Sequence, residues 1–410
     1  MTYSPICLDI TRLVSRVGLG ALSGVDRVEQ AYLTWVLENS ENPQFLCRTT
    51  RGYLLFDRKG GESLSGLVDG TIPLGQADVL SRLLGKASKA RHRAEGSLRP
   101  LKIASSLPRN LSGLLAKHLP ANTVYVNVGH SNLSARTLGT FASHGARIAV
   151  MIHDLIPLQY PDLVAEGSTA RFEKLMSNVA AHADLIIANS IDTKQHVRDY
   201  LGDVAIPIQA AHLGMVKRAR AREIPITAPT DRPYFVSLGT IEPRKNHAVL
   251  LDVWDALARE MPSDDLPYLH IIGRRGWKNE EILNRLDQHP LKGKVIFEHG
   301  ALPDAQTRAL ISGSKALLFP SLAEGFGYPP LEALEDGVLP VCSALPVLKE
   351  TLGDSAVYVK GGDAYSWTNT IKQLYFGTVP AKEQKSMTLP TWDAHFAVVN
   401  AALLGIGTDA

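Results

Sequence analysis

Cysteine is scarce: three among 410 residues, Cys7, Cys47 and Cys342. They are odd in number and lack metal-ligand spacing. That excludes a disulfide framework and a zinc site, and predicts reduced, mostly buried thiols in a cytosolic protein. Charge of one sign is lacking too. The 43 Lys and Arg face 41 Asp and Glu, a net charge of +2, which argues against a nucleic-acid binder. No run approaches the roughly 18 apolar residues of a membrane span. The opening MTYSPICLDITRLVSR has no charged n-region followed by an apolar h-region, so no secretory signal is read and a cytoplasmic location is expected. Internal repeats and low-complexity tracts are absent.

What is present is a strand–helix alternation. Apolar runs at Ile6–Ile10, Gln44–Arg48, Val124–Val128, Arg147–Ile152, Asp184–Ala188 and Pro207–Ala211 predict strands covered on both faces. A glycine-bearing loop (Gly18, Gly20, Gly24) precedes a helix expected over Val25–Leu37. Residues 216–232 are charged, proline-bearing and aperiodic, and read as a linker. The pattern then restarts, with strands at Tyr234–Leu238, Tyr268–Ile272, Val295–Glu298, Ala316–Pro320, Leu339–Cys342 and Ala356–Val359. The fold class expected is α/β, two Rossmann-like domains facing across a cleft. The division expected is 1–215 for an acceptor domain, 233–388 for a donor domain, and 389–410 for a helix packing back on the first.

Ligands in such sheets sit beyond the carboxyl ends of strands. After Tyr234–Leu238 the chain reads Gly239-Thr240-Ile241-Glu242-Pro243-Arg244-Lys245-Asn246. Gly239 permits a tight exit, and the adjacent cations Arg244 and Lys245 suit a diphosphate. After Ala316–Pro320 come Glu324, Gly325, Phe326, Gly327 and Glu332, with Pro330 at a helix start and Gly337 at its stop. A helix N-terminus attracts anions, and carboxylates accept from sugar or ribose hydroxyls. The bland reading is a basic turn beside a capped helix with solvated glutamates.

The spacing of Glu324 and Glu332 is E-x7-E, and AEGFGYPPLEALEDGVLPV resembles the donor loop of glycosyltransferase family four, a retaining family of the GT-B fold. VSLGTIEPRKNHAVLLDVW, IIGRRGWKNEEI and VIFEHGALPDAQTRALISGSKALLFPS resemble its preceding segments. The resemblance covers about residues 233–360 closely. DITRLVSR and SGVDRVEQAY are similar to the opening of bacterial members acting on surface polysaccharides.

The resemblance implies the following roles. Arg244 and Lys245 bind the donor diphosphate and stabilise the leaving charge. Glu324 contacts the donor sugar, and Glu332 holds the nucleotide ribose. Gly239, Gly273 and the amides of Gly325, Phe326 and Gly327 line the donor, with 273–277 flanking the base. Gly24 ends a loop facing the phosphate. His153, in MIHDLIPLQYP, lies near the donor sugar. Asp154 beside it and His130, in VNVGHSNL, are acceptor-side candidates. A lone histidine is more often structural, and Asp154 could instead cap the next turn.

The expected chemistry is retaining transfer of a hexose to a glycan or lipid-linked acceptor, with GDP-mannose the weakly favoured donor and UDP-hexoses and activated rhamnose left open. Front-face displacement is expected, with the protein positioning reactants and stabilising charge. No Asp-x-Asp pair or His/Cys set is seen, so metal-independence and no cofactor are expected. Residues 85–120 hold eight cations against one acid, with interleaved leucines. They read either as an anionic-membrane contact at the inner face of the plasma membrane or as a solvated insertion. Competing readings are a non-catalytic nucleotide- or glycan-binding protein, and a sugar-phosphate synthase on the same fold.

Overall fold

Apolar runs bounded by glycine, proline and asparagine form strands buried on both faces, and the intervening segments return over the sheet as helices. The computed structural model describes residues 5–20, 22–76, 88–216, 228–378 and 388–407. The first sheet contains β1 (Ile6–Asp9), β2 (Gln44–Arg48), β3 (Tyr53–Phe56), β4 (Ala104–Ser106), β5 (Val124–Asn127), β6 (Arg147–Ile152), β7 (Leu185–Ala188) and β8 (Ile208–Ala210). Their order is β4-β3-β2-β1-β5-β6-β7-β8, parallel from β2 to β8 and antiparallel at β3 and β4.

The second sheet contains β9 (Tyr234–Leu238), β10 (Tyr268–Ile272), β11 (Ile296–Glu298), β12 (Ala316–Phe319), β13 (Pro340–Ser343) and β14 (Val357–Val359). It is parallel, in the order β11-β10-β9-β12-β13-β14. This is the doubly wound order, which turns back between β9 and β12 and opens a crevice at their carboxyl ends. The first sheet turns back between β1 and β5. The molecule is a two-domain GT-B fold.

One core spans both units. It joins Leu8, Tyr32 and Trp35 of the first domain to Phe319, Phe326 and Leu348 of the second, and to Phe396, Val399 and Leu403 of the last helix. That helix, Trp392–Gly407, contacts β6, β7 and β8, and His395 shares a 2.9 Å hydrogen bond with the Tyr32 hydroxyl. Next to it, Glu350 accepts from the Ile191 and Asp192 amides at 2.6 and 2.9 Å, and from His212 Nε2 at 2.5 Å. Such contacts fix the angle at which the two sheet mouths face each other.

The expected membrane contact loses its apolar half. Leu98, Leu111, Leu114, Leu115 and Leu119 are buried in the cores, while Leu107 is exposed. Helices Lys89–Leu98 and Leu111–His118 turn these leucines inward. Several cations are also engaged internally. Arg91 bonds Glu95 and the Arg48 carbonyl, and Arg93 bonds the Leu74 and Gly75 carbonyls. Lys86 lies outside the described residues, as do residues 217–227 of the expected linker. Among the described residues, no helix is long and apolar enough to cross a membrane.

Candidate functional site

The turn out of β9 is built by backbone chemistry. Gly239 sits at φ 155°, and a Cβ on Gly273 would lie 1.9 Å from the Gly239 carbonyl oxygen, so the β9 and β10 loops pack backbone to backbone. The chain then makes a single turn, Pro243–Lys245, and Asn246 in the left-handed region starts helix His247–Glu260. Arg244 and Lys245 are thereby placed against the loop that leaves β12. The Leu322 amide donates to the Arg244 carbonyl at 2.8 Å and fastens the two loops together.

The charges meet at this crevice. Lys245 Nζ lies 2.5 Å from Glu324 Oε1, and Arg244 Nη1 lies 2.8 Å from Glu324 Oε2. Arg244 also holds Glu242 at 2.8 Å and donates to the Ala323 carbonyl at 2.9 Å. Burial pushes the Glu324 carboxyl up, but the two cations outweigh it and leave it at about 2. Burial pulls the Lys245 ammonium down, with Glu324 opposing, whereas the carboxylates around Arg244 overcome its burial and raise it. Two half-buried cations thus share one ionised glutamate, and Glu324 is a tethered ligand rather than a free one.

The first domain reaches this cluster through the end of β6. A Cβ on Gly325 would lie 2.5 Å from the His153 carbonyl oxygen and 3.1 Å from Asp154 Cβ, so only glycine lets the loops approach. His153 Nε2 bonds the Val128 carbonyl at 2.7 Å, and His130 Nε2 bonds the Met151 carbonyl at 2.8 Å. Their rings are 5.0 Å apart. Burial pulls His153 down to about 4 and His130, with His153 adding to the effect, to about 3. Both are neutral, with Nε2–H spent on backbone, so neither carries a proton to deliver. Asp154 caps its turn, accepting from the Ile156 amide at 3.1 Å. Burial raises its carboxyl, partly countered by Arg244. Asp154 and Glu324 line one cavity of about 90 Å³.

Glu332 is placed differently. It sits in helix Tyr328–Glu335, buried, and forms an ion pair with Arg27 of the facing domain. The expected cluster of Arg244, Lys245 and Glu324 comes together, whereas Glu332 meets a cation from across the junction. Gly24 is the first residue of helix Gly24–Asn39, and a Cβ there would lie 3.4 Å from the Tyr328 ring. Gly327 takes φ 91° at the start of the Tyr328 helix. Phe326 is buried in the shared core, so its ring anchors the loop.

Several residues of the facing domain escaped sequence reasoning. Asp9, at the end of β1, accepts from Thr11 N, Tyr125 Oη and Asn132 Nδ2 at 2.8–2.9 Å. Arg12 and Arg16 pair with Asp26 at 3.2 and 3.0 Å, and Arg12 lies 3.6 Å from Glu29. A Cβ on Gly129 would lie 2.2 Å from Glu29 Oε1. From the second domain, Arg274, within the stretch 273–277 expected to flank the base, reaches across to the Leu19 carbonyl at 3.3 Å. The signal was the density of charge in DITRLVSR and SGVDRVEQAY, where these partners recur. Among the described residues, no group of three or more His, Cys, Asp or Glu is placed to hold a metal.

Residues 220–386 match the family model for glycosyl transferases group 1. The chain is 30% identical over 247 residues to the serotype-specific mannosyltransferase WbdA of Escherichia coli, covering 56% of this chain and 29% of that protein. It is 26% identical over 228 residues to the O-antigen chain mannosyltransferase RfbU of Salmonella typhimurium, covering 55% and 60%. The chain therefore spans only about three tenths of the first curated relatives it matches. In structure it resembles sucrose-phosphate synthase from Thermosynechococcus elongatus, with TM-score 0.62, 16% identity and coverage of 98% and 97%. It also resembles the lipopolysaccharide outer core galactosyltransferase WaaB, with TM-score 0.58, 15% identity and coverage of 97% and 99%.

Proposed function

We propose that this chain transfers a hexose, mannose from GDP-mannose foremost, to a glycan or lipid-linked acceptor in bacterial surface-polysaccharide synthesis, with retention and without a metal. One observation carries the reading: Arg244 and Lys245 converge on Glu324 in the crevice between β9 and β12, directly under the loop bearing His153 and Asp154. A donor diphosphate there replaces the Glu324 carboxylate as the partner of the two cations. Glu324 is then released towards the sugar hydroxyls while the cations stabilise the departing charge. The mannosyltransferase relatives support the choice of sugar.

The neutral His153 can accept from a sugar hydroxyl through Nδ1 but cannot act as an acid. In this scheme the sugar–diphosphate bond breaks as the acceptor oxygen attacks from the same face, and the departing diphosphate oxygen takes the acceptor proton, which gives retention. Glu332, beside Arg27, is the ribose ligand of this scheme. The test is a thermal-shift panel of nucleotide sugars, followed by turnover with the best binder in excess EDTA and NMR of the product anomer. An inverted product, or turnover abolished by chelation, contradicts the scheme.

A further inference from the structure

Glu324 and Glu332 are both met by cations, but the cations come from different places. Arg244 and Lys245 belong to the same domain as Glu324, whereas Glu332 is paired with Arg27 of the first domain. Arg27 lies near the start of helix Gly24–Asn39, and that start is firmly held. Ser23 and Asp26 cap each other's backbone there, while Arg12 and Arg16 grip the Asp26 carboxylate at 3.2 and 3.0 Å. It abuts the start of helix Tyr328–Glu335. A Cβ on Gly24 would lie 3.4 Å from the Tyr328 ring, and the Arg27 guanidinium stands 6.0 Å from the centroid of that ring.

The Glu332 side chain is 7% exposed and that of Arg27 29%. A carboxylate so enclosed is costly without a compensating positive charge. The two glutamates therefore respond to a nucleotide sugar in opposite ways. A diphosphate is anionic and competes with Glu324 for its cations. A ribose diol is neutral. It fills acceptor positions on a carboxylate but brings no charge, so it cannot replace Arg27. A carboxylate accepts at about four lone-pair positions, which makes a guanidinium and a diol compatible partners for it.

We propose that Arg27 is a positioning residue of the nucleotide site: it compensates and aims the Glu332 carboxylate from across the junction, so that the two domains read the ribose together. This rests on the reading of Glu332 as the ribose ligand. Helix Gly24–Asn39 thereby carries donor recognition into the first domain. Without Arg27 the carboxylate loses a partner that sets its direction, and the grip on the ribose weakens while the diphosphate cations stay in place.

Calorimetry on the full chain with GDP and UDP, each beside its 2′-deoxy and 3′-deoxy forms, reads the ribose contact apart from the diphosphate. The wild type is expected to prefer the better-bound ribonucleotide over at least one deoxy form by about tenfold, the scale of a hydrogen bond to a charged group. Arg27→Met should shrink that preference to within about twofold, and Arg27→Lys, which keeps the charge, should restore part of it. A packing role alone would move the melting temperature and leave the preference intact. Glu332→Gln keeps the test open should Arg27→Met fold poorly, because it leaves no stranded acid. It should lose the preference by itself, and adding Arg27→Met to it should change ribonucleotide affinity no further. A folded Arg27→Met protein that keeps the wild-type preference overturns the inference, whatever its overall affinity, and so does a further loss in the double variant. A wild type indifferent to both hydroxyls overturns the reading of Glu332 itself, and the inference with it.

Discussion

The ammonium of Lys245 lies 2.5 Å from a Glu324 carboxylate oxygen, while Arg244 holds the other oxygen at 2.8 Å. The phosphate-binding cations of the proposed mechanism thus start out neutralised by a residue of the same site. The arrangement keeps two half-buried positive charges compensated until a more highly charged partner arrives. A buried pair broken by loss of one member costs about 3–5 kcal/mol, because the other charge is stranded.

Glu324→Gln should separate binding from chemistry. Without the carboxylate, the acids left acting on the two cations among the described residues are Glu242 and, for Arg244, Asp154, so a free nucleoside diphosphate should bind at least as tightly as to the wild type. Turnover should fall by about 10²–10³-fold, the scale of a lost electrostatic contact in a preorganised site. Calorimetry with the diphosphate and steady-state kinetics read the two effects. Loss of diphosphate affinity would show that Glu324 is not the competitor described.

Glu332→Ala should act on affinity. A ribose contact is made equally in ground and transition states, so its loss raises KM with kcat nearly unchanged. The expected rise is about tenfold, equivalent to about 1.4 kcal/mol. A drop in kcat at constant KM would remove Glu332 from the ribose.

Gly325→Ala should disable the site without unfolding the chain. The new methyl would meet the His153 carbonyl at 2.5 Å, and that contact lies between domains rather than inside one sheet. Activity should fall at least about tenfold while the melting temperature stays within the roughly 2–4 °C that about 1 kcal/mol produces in a domain of about 150–250 residues. A large loss of melting temperature would mean that the two loops belong to one folding unit.

Acid should weaken the fold from near neutrality. Burial holds His153, His247, His270 and His395 neutral down to about 4, against an ordinary value of 6.5, and His130 down to about 3. Their depressed folded values mean that the unfolded chain binds more protons between 6.5 and 4, so stability is full above 6.5 and falls as pH drops through that window. The ion-paired Glu324 adds a further loss between its ordinary 4.5 and about 2. Urea unfolding at stepped pH checks this, and a flat profile from 7 to 4 would contradict the buried neutral histidines.

The sequence made the parallel sheets legible because their strands are apolar throughout. Gln44–Arg48, Arg147–Ile152, Tyr234–Leu238 and Tyr268–Ile272 form strands with the bounds that their composition implies. The antiparallel edge was not legible. Ala104–Ser106 is three small residues with no pattern, and it pairs with Tyr53–Phe56 across a long insertion. In the basic stretch, leucine spacing alone did not distinguish a membrane face from a core face, and the core took it. The cluster of Arg244, Lys245 and Glu324 was readable because each residue follows a strand of one sheet at its switch point. Arg27 was not, since its partner Glu332 lies in the other domain and an arginine on the polar face of an amphipathic helix is unremarkable by itself.

The most direct test is calorimetric. GDP, GMP, UDP and UMP are titrated into the wild type, Arg244→Met and Lys245→Met, with folding checked by circular dichroism. Arg244 and Lys245 are held to grip the second phosphate, so the wild type should bind one diphosphate at least tenfold more tightly than its monophosphate, and both variants should lose that preference. A folded variant that keeps the full preference would place the diphosphate elsewhere and contradict the account.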